Sequence, residues 1–258
     1  MKIVNPHFAT SIHEQGMIMP PNKFGYIQLA VEIEKPFILK RDSKTKKVLI
    51  EKLRDLCSAL IAQNANVQRA DIFTAIIIPP GAGEGRKFIK QNKINFHIAE
   101  FDLVVLIECN IVEAIDSVKK LNEYKVIEDL LKSNSNYFHK TFAMNPSRIA
   151  EVDKEKQGIF LFNYFYSKNT QTVLDVWEYT AGWWTAKANL TNSTPLLPLN
   201  DDSQYSLINH CRWDHLFDVI PTLILGRLGI KPGLNNFVLK NFTENNIVAM
   251  PILYKLAF

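Results

Sequence analysis

Apolar and polar residues alternate with a period of two over Tyr26-Ile-Gln-Leu-Ala-Val-Glu-Ile-Glu34, with Ile27, Leu29, Val31 and Ile33 on one face and Tyr26, Gln28, Glu32 and Glu34 on the other. This alternation predicts a half-buried strand. After the turn at Asp42-Ser43, Leu49, Leu53, Leu56, Cys57, Leu60 and Ile61 recur at helical spacing through Gln63. The stripe predicts an amphipathic helix. An apolar run over 72–78 and a second alternating stretch over 96–108 predict two more strands, residues 111–132 a helical region, and Tyr137–Met144 a fourth strand.

The second half shows the same succession with different residues. Strands are predicted over Ile159–Tyr166 and 205–213 and a helix over 170–189, with Val173, Val176, Trp177, Thr180, Ala181 and Trp184 on one side. Leu216, Val219, Ile220, Leu223, Ile224 and Leu228 mark a further helix, stopped near Gly229 and Pro232-Gly233. Residues 236–242 and 247–256 supply one or two strands, and 190–204 is mostly loop, with Thr194-Pro-Leu-Leu-Pro as a short edge strand. Residues 1–23 show no sustained period and form an N-terminal arm, and Asn145 to Gln157 is the best linker between a first half, 24–145, and a second, 158–258.

Each half therefore has the order β-α-β-β-α-β, the ferredoxin-like motif, in which an antiparallel sheet carries both helices on one face. Its other face is bare. Two such units can bury their bare faces against each other, which predicts an α+β fold: an internal pseudo-dimeric barrel of two ferredoxin-like units, with strands apolar on both parities. Residues 159–166 fit, with Ile159, Leu161 and Phe165 on one parity and Phe160, Phe162, Tyr164 and Tyr166 on the other.

The strings Phe160-Leu-Phe-Asn-Tyr-Phe165, Val176-Trp-Glu-Tyr-Thr-Ala-Gly-Trp-Trp184, Asn209-His-Cys-Arg-Trp-Asp214 and Ala249-Met-Pro-Ile-Leu-Tyr254, set in this order of elements, resemble the dimeric α+β-barrel superfamily over residues 24–258. The likeness is to a branch near the antibiotic-biosynthesis monooxygenase-like proteins; other branches are the chlorite dismutase-like haem proteins and the stress-responsive barrel proteins. It implies a small-molecule pocket between sheet and helices or within the barrel and, in the monooxygenase-like branch, oxidation of an electron-rich ring without metal or flavin.

Composition narrows the setting. The chain has 258 residues, 47% hydrophobic and 22% charged, enough for a substantial core. No stretch reaches the ~20 apolar residues that span a bilayer, and no signal peptide is recognisable, so the expected location is the cytoplasm, with no membrane partner. Cys57, Cys109 and Cys211 are odd in number and lack CxxC spacing, which argues against a disulfide framework. A net charge of +4 lacks the density of a nucleic-acid surface. Exposed sheet edges leave a homodimer open.

Candidate chemistry centres on 205–213, where alternation sets Ser206, His210 and Arg212 on one face and Leu207, Asn209, Cys211 and Trp213 on the other. If the more apolar set packs on the helices, His210 and Arg212 enter the lumen, where burial would pull the imidazole toward a neutral base. His210 would then take a proton from a phenol or enol and Arg212 would stabilise the oxyanion; the alternative is that both make structural hydrogen bonds. Trp177 and Trp184 wall a pocket or fill core, Asn163 interrupts an apolar strand as a ligand contact or a satisfied polar group, and Tyr26 and Gln28 offer polar contacts from the first half. The glycine-rich loop 80–87 reads as a long hairpin connection rather than a phosphate cradle. The histidines form neither HxH nor HExxH, so no metal site and no cofactor is predicted, although a haem, which needs a single axial histidine, stays open.

Two functions compete. One is a cofactor-independent monooxygenase-like enzyme acting on an aromatic or quinone-like substrate, with His210 and Arg212 catalytic and Asn163, Trp177, Trp184, Tyr26 and Gln28 binding substrate. The other is a non-catalytic barrel that holds a metabolite or haem.

Overall fold

A computed structural model describes residues 1–7, 18–34, 42–77, 88–91, 94–200, 203–227 and 234–257. The first half runs β1 (Gly25–Glu32), α1 (Lys44–Gln63), β2 (Val67–Ile77), β3 (Leu103–Cys109), α2 (Asn122–Ser133) and β4 (Tyr137–Met144). The second runs β5 (Ile159–Tyr166), α3 (Thr170–Ala188), β6 (Thr194–Pro198), β7 (Leu207–Trp213), α4 (Leu216–Arg227), α5 (Lys240–Glu244) and β8 (Val248–Leu256). Short turns of helix at Val112–Ala114 and Ile115–Val118 precede α2, and a π-helical segment, Leu234–Leu239, leads into α5. No helix of the described residues is long and apolar enough to cross a membrane.

The eight strands close into a barrel in the order β1-β3-β2-β8-β5-β7-β6-β4. Cut at its two seams, this circle gives β4-β1-β3-β2 and β8-β5-β7-β6, the same 4-1-3-2 arrangement twice. The ferredoxin-like, pseudo-dimeric α+β barrel predicted from the pattern is the observed fold. One seam pairs β2 with β8 from Phe73↔Leu256 to Ile77↔Leu253, and the other joins β4 to β6 through only Ala143↔Pro198 and Met144↔Leu197. Closure changes one expectation: the short 194–198 strand is no free edge, and pairing of strands between copies would have to open a seam.

The bare faces meet as predicted. Tyr26, Ala30, Phe73, Val104, Leu106, Phe160, Phe162, Tyr164, Ile208, Ile252 and Tyr254 form one buried cluster inside the barrel. Alternate residues point outward: Ile27, Leu29, Val31, Leu103, Val105 and Ile107 pack on Leu49, Leu53, Cys57 and Leu60 of α1 and Tyr124, Ile127 and Leu131 of α2. β1 is therefore buried on both faces along most of its length, not half-buried.

Local chemistry sets the helix ends. Ser43 caps α1 by accepting from the Lys46 N–H (3.1 Å), and Asn169 caps α3 by accepting from that of Thr172 (2.9 Å). Asn189, left-handed at φ 49°, closes α3, while the Trp213 indole donates to the Ala188 carbonyl (2.6 Å) and ties that end to β7.

Two strand assignments are corrected. Residues 96–101 precede β3 outside its ladder, and Asp102 extends it by backbone bonds to Val31 (3.0 Å) and Ala75 (2.9 Å). The buried Asp102 carboxylate accepts from the Ile33 (2.7 Å) and Glu34 (3.1 Å) N–H groups and pairs with Lys46 at 3.0 Å. A side chain thus replaces sheet pairing where β1 ends. Residues 236–242 are helical, because β8 alone completes the second unit, and Leu234, Phe237, Val238 and Phe242 pack on α3 and β5. Loop 80–87 and the helix stop near Gly229 and Pro232-Gly233 lie outside the described residues.

Gly25 starts β1 where a Cβ would stand 2.9 Å from the Ile111 carbonyl oxygen and 2.9 Å from the Val112 Cα, both backbone atoms that cannot swing aside. Gly25→Ala is expected to lower the urea-derived unfolding free energy by about 1–3 kcal/mol; an unchanged value would mean that the 111–112 turn moves freely.

Candidate ligand pocket

A cavity of about 720 Å³ lies outside the barrel lumen, between the outer face of the second sheet and its helices. Strand periodicity builds its floor: Leu161, Asn163 and Phe165 from β5, Asn209, Cys211 and Trp213 from β7, and Ala249 and Pro251 from β8. Helical periodicity builds one wall, Trp177, Thr180, Ala181 and Trp184 recurring along a single stripe of α3. The opposite wall comes from Leu234, Val238 and Leu239 of the π-helical segment and Lys240, Phe242 and Thr243 of α5. Such π-turns often occur at functional sites.

Most of this lining is apolar, so its few polar atoms set what it can recognise. The Asn163 Oδ1 is buried and has no hydrogen-bond partner among the described residues. Its neighbour across the ladder, Asn209, is satisfied, accepting from the Ser193 hydroxyl at 2.6 Å. The Thr180 hydroxyl donates back to the Val176 carbonyl (2.8 Å) and the Lys240 ammonium pairs with Glu244 (2.9 Å). Burial pushes the Cys211 thiol well above its ordinary pKa, so it stays protonated and weakly nucleophilic.

The structure brings together Asn163, Trp177 and Trp184 and leaves the other four candidates elsewhere. His210 points into the lumen, as anticipated for its strand parity, and stacks on Phe162 (centroids 4.3 Å apart) and Phe160 (5.9 Å), with Phe73 edge-on at 5.5 Å. Its Nδ1–H donates to the Leu161 carbonyl (3.2 Å), and its buried Nε2 has no partner among the described residues. Burial first, and then the nearby Lys154 charge, hold its pKa well below the ordinary histidine value.

Arg212 shares that face. Its Nη1 donates to Asp214 (2.8 Å) and its Nη2 to the Gln157 carbonyl (2.6 Å), and the guanidinium carbon lies 5.8 Å from the centre of the Phe160 ring. Tyr26 accepts from the Asn22 amide (2.7 Å), while the Gln28 amide is buried without a hydrogen-bond partner. None of these four side chains lines the cavity. Alternation placed His210 and Asn209 on opposite faces, but it does not say which face meets a cavity. The lumen is filled by aromatic rings. The pocket-facing Asn209, Cys211 and Pro251 were not singled out as binding residues; Asn209, standing at the parity of Cys211 and Trp213, was the available signal.

Among the described residues no histidine lines the pocket, the soft ligand there is the protonated Cys211, and the lumen-facing His210 is enclosed by three phenylalanine rings, an arrangement that offers a haem no axial histidine at the pocket. Among the described residues no group of three or more His, Cys, Asp or Glu side chains could hold a metal ion.

No sequence-family description and no curated protein matches this chain. Among solved structures, an anthrone oxidase-like protein superposes with a TM-score of 0.57 at 10% identity, covering 93% of this chain and 94% of its own. A candidate monooxygenase from Fusobacterium nucleatum gives a TM-score of 0.50 at 8% identity over 92% and 94%. What these proteins share with the chain is the fold, a ferredoxin-like α+β barrel. Within this barrel the identities are too low to carry any residue's role across.

The His210 imidazole imposes a pH dependence on the barrel. Its folded pKa lies below the unfolded value, so between the two the unfolded chain binds the extra proton; the stability it contributes is complete above about pH 6.5 and is lost as the pH falls. His210→Phe should flatten the decline of the urea midpoint between pH 7 and pH 5, and parallel declines in wild type and variant would contradict a buried neutral imidazole.

Proposed function

We propose that this barrel binds a small, largely apolar molecule, such as a flat aromatic ring system, that carries one hydrogen-bond donor. The carrying observation is the buried, unpartnered Asn163 Oδ1 in the floor of a 720 Å³ apolar pocket. A buried acceptor left unmatched costs about 1–3 kcal/mol, and a ligand O–H or N–H removes that penalty at the moment the apolar walls take up its body. A pocket lined by apolar side chains with a small number of placed polar groups is the usual form of such a site.

Binding ranks ahead of catalysis because the polar pocket residues on β5, β7 and α3 are neutral: two asparagine amides, a threonine hydroxyl and a protonated thiol. Metal-free and flavin-free oxidation of an aromatic or quinone-like ring is the enzymatic extension of this reading. Its support is the fold shared with proteins named as an anthrone oxidase-like protein and a monooxygenase. With His210 as base and Arg212 as oxyanion partner, it requires substrate on the lumen face of β7. Loss of oxygen consumption in His210→Ala would identify that arrangement.

Three tryptophans in the lining, Trp177, Trp184 and Trp213, make intrinsic fluorescence the natural reporter. Wild-type protein should be quenched by 2-naphthol more tightly than by naphthalene. Asn163→Leu should weaken 2-naphthol about tenfold, in line with one hydrogen bond lost to a buried group, and spare naphthalene. Ala181→Trp should fill the cavity and abolish both. Equal affinities for the two probes in wild type, or quenching that survives Ala181→Trp, would remove this reading.

A further inference from the structure

Far from the pocket in sequence, residues 2–5 lie against the segment that forms its outer wall. Asn241 and Asn245 stand four residues apart and each pairs reciprocally with one residue of that stretch. The Lys2 N–H donates to the Asn245 Oδ1 (2.6 Å) and the Asn245 amide donates to the Lys2 carbonyl (2.7 Å). The Val4 N–H donates to the Asn241 Oδ1 (3.0 Å) and the Asn241 amide returns a bond to the Val4 carbonyl (2.9 Å). The Asn5 amide adds a bond to the Asn236 carbonyl (2.5 Å), and Lys2 pairs with Glu244.

The spacing explains why two asparagines suffice. Four residues of helix rise about 6 Å, and two residues of extended chain span about 6.7 Å, so side-chain amides at i and i+4 reach the peptide groups of residues two apart. Asn241 is fully buried, and its amide also donates to the Phe237 carbonyl (2.8 Å) one turn back, so the clasp is continuous with the π-helical segment. The clasped stretch carries Val238, Leu239, Lys240, Phe242 and Thr243, all in the pocket lining.

We propose that residues 2–5 are a latch on the pocket's outer wall, with Asn241 and Asn245 as positioning residues, and that its engagement sets the rate at which ligand enters and leaves. The proposal rests on the pocket being the binding site. Asn241 and Asn245 read the backbone of residues 2 and 4 rather than their side chains, so their part of the latch does not depend on the identity of residue 4.

Hydrogen exchange and 2-naphthol release, followed by tryptophan fluorescence, test it on the full chain. Relative to wild type, Asn245→Ala, which removes both bonds to Lys2, should speed exchange of the 236–244 amides at least about fivefold, and a variant lacking residues 2–5 at least about tenfold, as expected for two and for several lost hydrogen bonds. Release of 2-naphthol should accelerate in parallel, and millimolar synthetic peptide of residues 1–7 should restore both in the deletion variant, which loss of fold would not permit. Unchanged exchange in both variants would overturn the latch. Faster exchange with unchanged release would overturn its control of access. Release insensitive to Ala181→Trp would instead fault the pocket reading, leaving the exchange result to judge the clasp alone.

Discussion

Burial of two uncovered sheet faces against each other is the constraint on which this molecule depends. A ferredoxin-like unit hides only the helix-bearing side of its sheet. The other side of four strands, rich here in phenylalanine and tyrosine, would otherwise meet water. Closing β4-β1-β3-β2 onto β8-β5-β7-β6 removes both faces from solvent and removes every sheet edge at once. The interior that results is aromatic packing, with Phe73, Phe160 and Phe162 ringed around His210 and Tyr164, Tyr205 and Phe101 in edge-on and tilted contact toward the other end.

That interior decides where a ligand can go. With aromatic rings packed in the lumen, the 720 Å³ cavity lies where the second sheet is incompletely covered by its helices. In the first half α1 and α2 seal the outer face with interlocking aliphatic side chains. In the second half the cover is α3, α4 and the π-helical turn leading into the short α5, and the bulky tryptophans stand at the border of a cavity. The asymmetry between halves of identical strand order is thus an asymmetry of helix cover. The strand that carries His210 serves both regions, presenting imidazole and guanidinium inward and Asn209, Cys211 and Trp213 to the pocket.

Much of the fold was legible in the chain. Period-two runs located β1, β4, β5 and β7 closely, and helical stripes located α1 and α3. Apolar residues on both parities of 159–166 signalled a strand buried on both sides. The failures have physical reasons. Residues 96–101 alternate as a strand does, but the Asp102 carboxylate takes the N–H groups that a neighbouring strand would have bound. Residues 236–242 carry too few apolar positions to separate strand from helix, and their helical form becomes evident only with β8 filling the fourth place in the sheet.

The sequence by itself determined the order of elements, the pairing of two like units, and which side chains share a face, because periods of 2 and 3.6 are properties of the local backbone. It also marked Asn163 as a polar interruption and Trp177 and Trp184 as one stripe. Only the tertiary structure decided which face of β5 and β7 borders a cavity, that His210 is enclosed by aromatic rings, and that residues 2–5 meet Asn241 and Asn245. Those outcomes depend on the volumes of side chains brought together from distant parts of the chain, more than two hundred residues apart in the case of residues 2–5, and no local period records how such volumes will fit.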